Sequence, residues 1–411
     1  MAMPLSTSSP SPMIRRQRHR PPLLLAAASD GDGASELVSA APPAKKPSSK
    51  RPYFVLAALV LLYVNNQWSR MLPSYLVSFD EAGRAGRTGR ELMNVALGFS
   101  PAQYGLLVSY GFTLLYVACS FPAGIACDIL PRKAVLLVAA SGWSLATAAS
   151  AAAQSYTQLL GARVFLGIFQ SFSGPAAHTL ISATFPPRRR ATANAIYTSG
   201  IYLGGALASL SIPLSRALGW RGTGFLVAAL VVPPMLLLTV ALREPPRPAA
   251  PSPPPAAAAA ASASSSTSSS TSSSLARVLK VKSVRWLLIG AGTRLFAGFA
   301  IGAWAAPYYR AAFPTMSSRY SLINALIVAG AGSLSTVAGG VAADAVTTKR
   351  DGTPAPHRAA LLPMLGSLAA IPFWIGAVRS TSFNVAMASL LGAYLLAWHL
   401  LAQLGDERTH A

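Results

Sequence analysis

The chain has 411 residues, 52% of them hydrophobic and only 11% charged, with a formal net charge of +22. A soluble domain averages about 25% charged residues, so the composition excludes an ordinary water-soluble fold. Whole windows contain no Asp, Glu, Lys or Arg, among them Leu92–Cys127, Val164–Pro187, Gly222–Ala241 and Ser380–Gly405. Such runs are long enough to cross a bilayer as helices, because about 20 apolar residues span the hydrocarbon and lipid offers the backbone no other partner.

In chain order, residues 1–51 form a basic tail rich in Ser, Pro, Ala and Arg that reads as disordered. Its first 29 residues contain no acid, a composition shared by cytosolic tails and by organellar transit peptides. Six spans follow within 52–243, at 52–72, 100–127, 134–153, 157–185, 191–215 and 222–243. Ser100-Pro101-Ala102-Gln103 opens the second with an N-cap, Pro at N1 and a capping-box Gln. Residues 244–283 are a linker with Pro-Ala and Ser-Thr tracts, which bury too little apolar area to offset their ordering entropy. Four more spans follow in 284–411, at 285–307, 320–343, 358–378 and 381–404.

Orientation follows from the Lys and Arg bias. With the N-terminus in the cytosol, the cytosolic side collects Arg15 to Arg20, Lys45 to Arg51, Arg132, Lys133, Arg188 to Arg190 and the linker cations. This topology accounts for the basic excess, so no nucleic-acid partner is implied. Cys119 and Cys127 lie on one predicted helix, about 12 Å apart by helical rise, too far for a disulfide. No His and Cys cluster has metal-ligand spacing, and no cofactor is expected. The spans contain no nucleophile–base set, so an enzyme is not expected.

An internal repeat sharpens the picture. Gly124-x-x-x-Asp128-x-x-x-Arg132-Lys133 follows the second span, and Gly340-x-x-x-Asp344 with Lys349-Arg350 follows the eighth. Parallel duplication of a helix bundle is a transporter architecture. The first copy resembles, position for position, the signature loop of the major facilitator superfamily. Arg163-x-x-Leu166-Gly167, Phe185-Pro-Pro-Arg-Arg-Arg190 and Gly219-Trp220-Arg221 resemble further motifs of that family, in the same order. Within it, the chain is most similar to spinster-like lipid transporters and related organic-anion carriers.

The resemblance implies an all-α polytopic membrane protein with two pseudo-symmetric bundles. It implies secondary transport by alternating access, with a small organic anion or an amphiphilic anionic lipid as substrate. The alternatives are a receptor or scaffold on the same fold, or a fragment of a twelve-helix carrier. Six plus four spans leave the C-terminal bundle short of the eleventh and twelfth helices. The implied partners are the substrate and membrane lipids, with a monomeric chain in a plasma, endomembrane or plastid envelope membrane.

The resemblance also implies gating roles for Gly124, Asp128, Arg132 and Lys133, and for Gly340 and Asp344. Asp128 would face the N-terminus of an eleventh helix, and Asp344 that of the fifth. Gly200, Gly204 and Ala208 form a small-residue packing seam. Where spinster-like relatives carry carboxylates in helices one and four, this chain has Asn65, Asn66 and Gln67, and Gln170. Proton coupling through those positions is therefore not expected, and His178 and His399 are read as packing residues. Arg294 and Arg163 are cations within spans. A charge there usually faces a cavity or a partner, and an anionic substrate would supply one. The bland reading gives Arg163 backbone carbonyls and Arg294 a watery cavity. Asn65, Asn66, Gln170 and Trp304 are candidates to line the substrate site.

Overall fold

Every regular element in the described part of the chain is helical. The computed structural model describes residues 50–80, 90–242, 280–336, 338–339 and 361–396. The N-terminal tail, most of the linker, and the positions of Gly340, Asp344 and His399 lie outside these residues. The described residues belong to one compact unit.

The described residues of the N-terminal segment form ten helices. They are α1 (Arg51–Tyr75), α2 (Met93–Leu97), α3 (Pro101–Val108), α4 (Tyr110–Ile129), α5 (Arg132–Ala152), α6 (Tyr156–Ser171), α7 (Ser173–Thr184), α8 (Pro187–Ser209), α9 (Ser211–Ala229) and α10 (Val232–Ala241). The C-terminal segment holds α11 (Lys282–Ala312), α12 (Ser317–Leu326), α13 (Leu361–Arg379) and α14 (Phe383–Leu396). A π-helical stretch, Ile327–Gly332, continues α12.

Among the described residues, four continuous runs are long and apolar enough to cross a membrane: Pro101–Ile129, Arg132–Ala152, Ser211–Ala241 and Val284–Ala312. The sequence-derived spans on α1 and on α8 fall outside that set. α1 carries Asn65, Asn66, Gln67, Ser69 and Arg70 in its second half, and α8 begins with Arg188 to Arg190. Polar residues lower their mean hydropathy, and Asn65, Asn66, Gln67 and Ser69 of α1 are buried in protein.

Local chemistry sets the helix ends. The Ser100 hydroxyl accepts from the Gln103 amide at 3.3 Å, and the Gln103 side chain accepts from the Ser100 amide at 2.9 Å. This is the capping box read from the sequence. The end of α10 is capped by cations, which satisfy orphan carbonyls and favour the negative pole of a helix. Arg51 donates to the Ala241 carbonyl at 3.0 Å, and Lys133 donates to the Thr239 and Leu242 carbonyls at 2.8 and 2.7 Å. Lys133 therefore ties α5 to α10 within the N-terminal segment. Arg189 reaches the Tyr53 hydroxyl at 2.9 Å at the same end. We call this the basic end.

At the far end, Gly219 turns the chain inside α9 with φ of 75°, a conformation that suits glycine. The turn lets the Trp220 amide donate to the Arg90 carbonyl and places Arg221 on the Ala151 and Ala153 carbonyls at 2.7 and 2.6 Å. The guanidinium of Arg221 also lies 4.3 Å from the centroid of the Trp220 ring.

One apolar core, with Leu59, Leu136, Trp143, Leu180 and Leu238, joins helices of the N-terminal segment alone. A second joins both segments through Trp68, Tyr104, Trp220, Tyr309 and Tyr320. α1 and α8 cross closely. A Cβ on Gly204 would lie 2.6 Å from the Val64 carbonyl, and one on Gly200 3.0 Å from the Tyr63 ring. The small-residue stripe is thus a seam that seats α8 on the polar face of α1.

Candidate substrate site

The site starts from one face of α1. Tyr63, Gln67 and Arg70 fall at i, i+4 and i+7, and Asn66 precedes Arg70 by four. Arg70 is half-buried. Its Nε donates to the Gln170 side-chain oxygen at 3.2 Å. Its guanidinium carbon lies 4.7 Å from the Phe112 centroid and 4.9 Å from that of Tyr116. Gln170, on α6, is fully buried, and its amide donates to the Asn66 carbonyl at 3.0 Å. Gln170 is therefore a neutral bracket between the α1 backbone and the Arg70 cation.

Arg163 lies two turns nearer the start of α6 and is 3% exposed. It donates to the Ser69 carbonyl at 3.0 Å and to the Arg70 carbonyl at 2.8 Å. Both carbonyls belong to α1, and that of Ser69 is freed because Pro73, four residues on, has no N–H to donate back. Its guanidinium carbon also lies 5.6 Å from the Phe112 ring centroid. Two guanidiniums thus share one aromatic ring, and the partners described for them are neutral. A close approach of α6 to α4 permits this, since a Cβ on Gly167 would lie 2.5 Å from the Phe112 carbonyl.

Further along α1, the Tyr63 ring stacks on Tyr197 of α8 at 4.5 Å. His178 of α7 stands edge-on to Tyr197 at 5.3 Å and bonds Asn194 at 3.1 Å. From the other segment, half-buried Arg294 on α11 lies within electrostatic range of Tyr202 on α8. The Tyr202 hydroxyl accepts from Thr336 at 3.0 Å.

The structure sorts the sequence candidates. Arg163, Gln170 and Asn66 come together around Arg70. Asn65 sits apart: it donates to the Val227 carbonyl at 2.7 Å and accepts from Trp143 at 3.1 Å, with 4% exposure. Those bonds make it a buried bridge of α1, α5 and α9. Trp304 stands against Tyr104 and Phe79, with ring centroids 5.1 and 6.3 Å away. Asp128 is exposed at the basic end, and a Cβ on Gly124 would meet open space. Arg70 is the residue that the sequence reading missed. Its signal was the shared helical face with Tyr63 and Gln67.

The described contacts between segments concentrate at the far end and reach inward only to Tyr202. Arg310, 1% exposed, donates to the Val77 carbonyl at 3.1 Å. Tyr104 donates to the Ala303 carbonyl at 2.6 Å, and Arg216 donates to the Ser317 hydroxyl at 2.9 Å. Asn324 donates to the Tyr75 and Ser209 hydroxyls at 3.3 and 3.1 Å. Toward the basic end, α11 exposes Trp286 and Phe296. The conformation is closed at the far end.

Residues 88–406 match the Major Facilitator Superfamily. The chain belongs to this family. All four residues of the Gly124-to-Lys133 loop fall inside the matched stretch.

Among relatives of this superfamily member, a D-galactonate transporter of Escherichia coli O6:H1 is 33% identical over 30% of this chain and 29% of its own length. The Probable anion transporter 2, chloroplastic, of Oryza sativa subsp. japonica is 34% identical over 34% of this chain and 28% of its own length. A hexuronate transporter of Bacillus subtilis strain 168 is 31% identical over 30% of each chain. The matched stretches thus span less than a third of the length of these curated relatives. A solved bacterial homolog of the human lysosomal transporter Spinster, inward-facing and unoccupied, superposes with a TM-score of 0.66 at 25% identity. That match covers 88% of this chain and 74% of that one. As a superfamily member with several long apolar helices, the chain is an integral membrane protein.

Proposed function

We propose that the chain carries a small organic anion, held by Arg70 and Arg163 and passed between the two sides by alternating access. The observation that carries the reading is the pair of guanidiniums around Phe112, whose described partners are carbonyls and an amide. Two like charges in a low-dielectric setting repel, and a carboxylate arriving between them relieves that repulsion while gaining charge-assisted, potentially bidentate hydrogen bonds. The anionic substrates named for the galactonate and hexuronate relatives support a sugar acid or a similar carboxylate.

Arg294, across the segment boundary, would meet the other end of the anion, and Trp304 and Asn66 would flank it. Closure at the far end supports a state loaded from the basic end, and the Lys and Arg bias supports a cytosolic position for that end. The Gly124–Asp128–Arg132–Lys133 loop and its counterpart at Gly340 and Asp344 would form the gate at that end. Chloroplast-assigned relatives support a plastid envelope as one location.

The test is uptake of labelled D-galactonate, D-glucuronate and inorganic phosphate into liposomes containing the purified chain. Flux of at least one, lost in Arg70→Gln with normal insertion, supports the proposal. Absence of flux and of binding for all three overturns it in favour of a receptor or scaffold.

A further inference from the structure

Resting on that reading, we infer that the anion crosses without a coupled proton, so that each turnover moves its net charge across the membrane. The argument is geometric. The direct way to couple a proton is to hold a group that titrates near neutrality against the cation that binds substrate, so that protonation and anion binding favour each other. Here the position against Arg70 is filled by Gln170, at 3.2 Å, and Gln170 is itself fixed by the Asn66 carbonyl at 3.0 Å. An amide does not titrate, and it does not neutralise the guanidinium. Arg70 therefore faces a neutral amide where a coupled carrier would hold a titratable group.

Among the described residues, the other groups around Arg70 do not supply a carboxylate. α6 contributes Arg163, α1 contributes Tyr63, α4 contributes Tyr116 and α8 contributes Tyr197. Phenols ordinarily titrate near pH 10 and guanidiniums above about 12. Beyond them lie Tyr104 beside Arg163, and Tyr202 with Arg294. Among the described residues the acids are Asp80, Glu91 and Asp128. Asp80 and Glu91 follow α1 in the far-end connection, and Asp128 is exposed at the basic end. His178 is the group of the right chemical type. Its described polar partner is Asn194, at 3.1 Å, and Tyr197 lies between its ring and α1.

A fixed cation that is not neutralised by a proton-carrying partner returns empty with the same charge it held when loaded. The anion's charge is then the charge that moves. One charge in a membrane potential is worth about 2.3 kcal/mol per 100 mV, so a monovalent anion should reach a tenfold gradient for every ~59 mV.

The experiment uses the purified chain in liposomes with labelled D-glucuronate as probe, the potential set by potassium and valinomycin. An inside-positive potential at equal pH should drive accumulation. A pH gradient at zero potential should drive none, and glucuronate affinity should stay flat from mildly acid to neutral pH. Gln170→Glu places a titratable carboxylate against Arg70. Its glucuronate affinity should fall as pH rises, by up to about tenfold per unit for one linked proton. Accumulation driven by a pH gradient at zero potential in the unmodified chain overturns the inference, whether or not His178→Gln abolishes it. Gln170→Glu with pH-independent affinity also overturns it. If glucuronate, galactonate and phosphate neither bind nor move at any pH, the anion reading itself falls, and this inference with it.

Discussion

Ser209 and Ser321 hold each other by reciprocal hydrogen bonds: the Ser209 hydroxyl donates to the Ser321 carbonyl at 2.9 Å, and the Ser321 hydroxyl donates to the Ser209 carbonyl at 2.6 Å. Both residues are fully buried, one at the end of α8 and one in α12. This pair clasps the two segments at the far end. Each neutral hydrogen bond contributes about 0.5–1.5 kcal/mol net. Ser209→Ala with Ser321→Ala should therefore raise the population open at the far end by about tenfold. A cysteine placed at Asn324, labelled by an impermeant thiol reagent from that side, reports the change. Unaltered labelling would mean that the clasp does not hold the closure.

Arg70→Lys keeps the charge and removes the planar fork. The ammonium cannot donate to Gln170 in the same geometry or lie flat on Phe112 and Tyr116, and the two cations are not equivalent at stacked sites. We expect a rise of roughly tenfold in the KM of anion uptake, since one charge-assisted hydrogen bond is worth about 1.5–3 kcal/mol. Concentration-dependent uptake in liposomes measures it. An unchanged KM would remove Arg70 from the site.

Asn65→Leu should behave in the opposite way. It strips the partners from the Trp143 indole N–H and the Val227 carbonyl, each buried, at about 1–3 kcal/mol per orphaned group. Thermal stability in detergent should drop, while the KM of the folded fraction stays as it was. A selective change in KM at constant stability would return Asn65 to the substrate site.

Gly204→Val inserts a branched side chain where a Cβ already lies 2.6 Å from the Val64 carbonyl and from the Gln67 Cβ. Overpacking of this kind costs about 1–3 kcal/mol. The backbone of α1 must move, and the register of Tyr63 and Arg70 moves with it. Both thermal stability and uptake should fall. By contrast, Gly124→Ala should leave stability nearly unchanged in this conformation, because no neighbour lies within 4 Å.

The parts of the fold that could be read from sequence are those set by neighbours along the chain. The Ser100–Gln103 capping box is one, since both of its bonds close within three residues. The cation at Arg163 was visible too, as a charge inside an apolar run. Its partners were not, because the Ser69 and Arg70 carbonyls come from another helix, 94 and 93 residues away. Lys133 looked like part of a loop motif, yet it caps α10, a contact across 106 residues. Arg70 escaped notice because it stands near the end of an apolar span, where a cation usually reaches for water. In the structure α1 runs on through Pro73 to Tyr75, which draws Arg70 inside.

The bonds that join the segments at the far end have a common chemistry. Ser209 with Ser321, Asn324 with Tyr75, Tyr104 with Ala303, Arg216 with Ser317, and Arg310 with Val77 all pair a hydroxyl, amide or guanidinium with a neutral oxygen. Mobile ions screen attraction between opposite charges far more than they weaken bonds of this kind. Protonation has no carboxylate to act on in any of these five contacts. Dilute or concentrated salt, mildly acid or neutral medium, should leave these five bonds equally tight, so loosening them falls to what arrives between the helices.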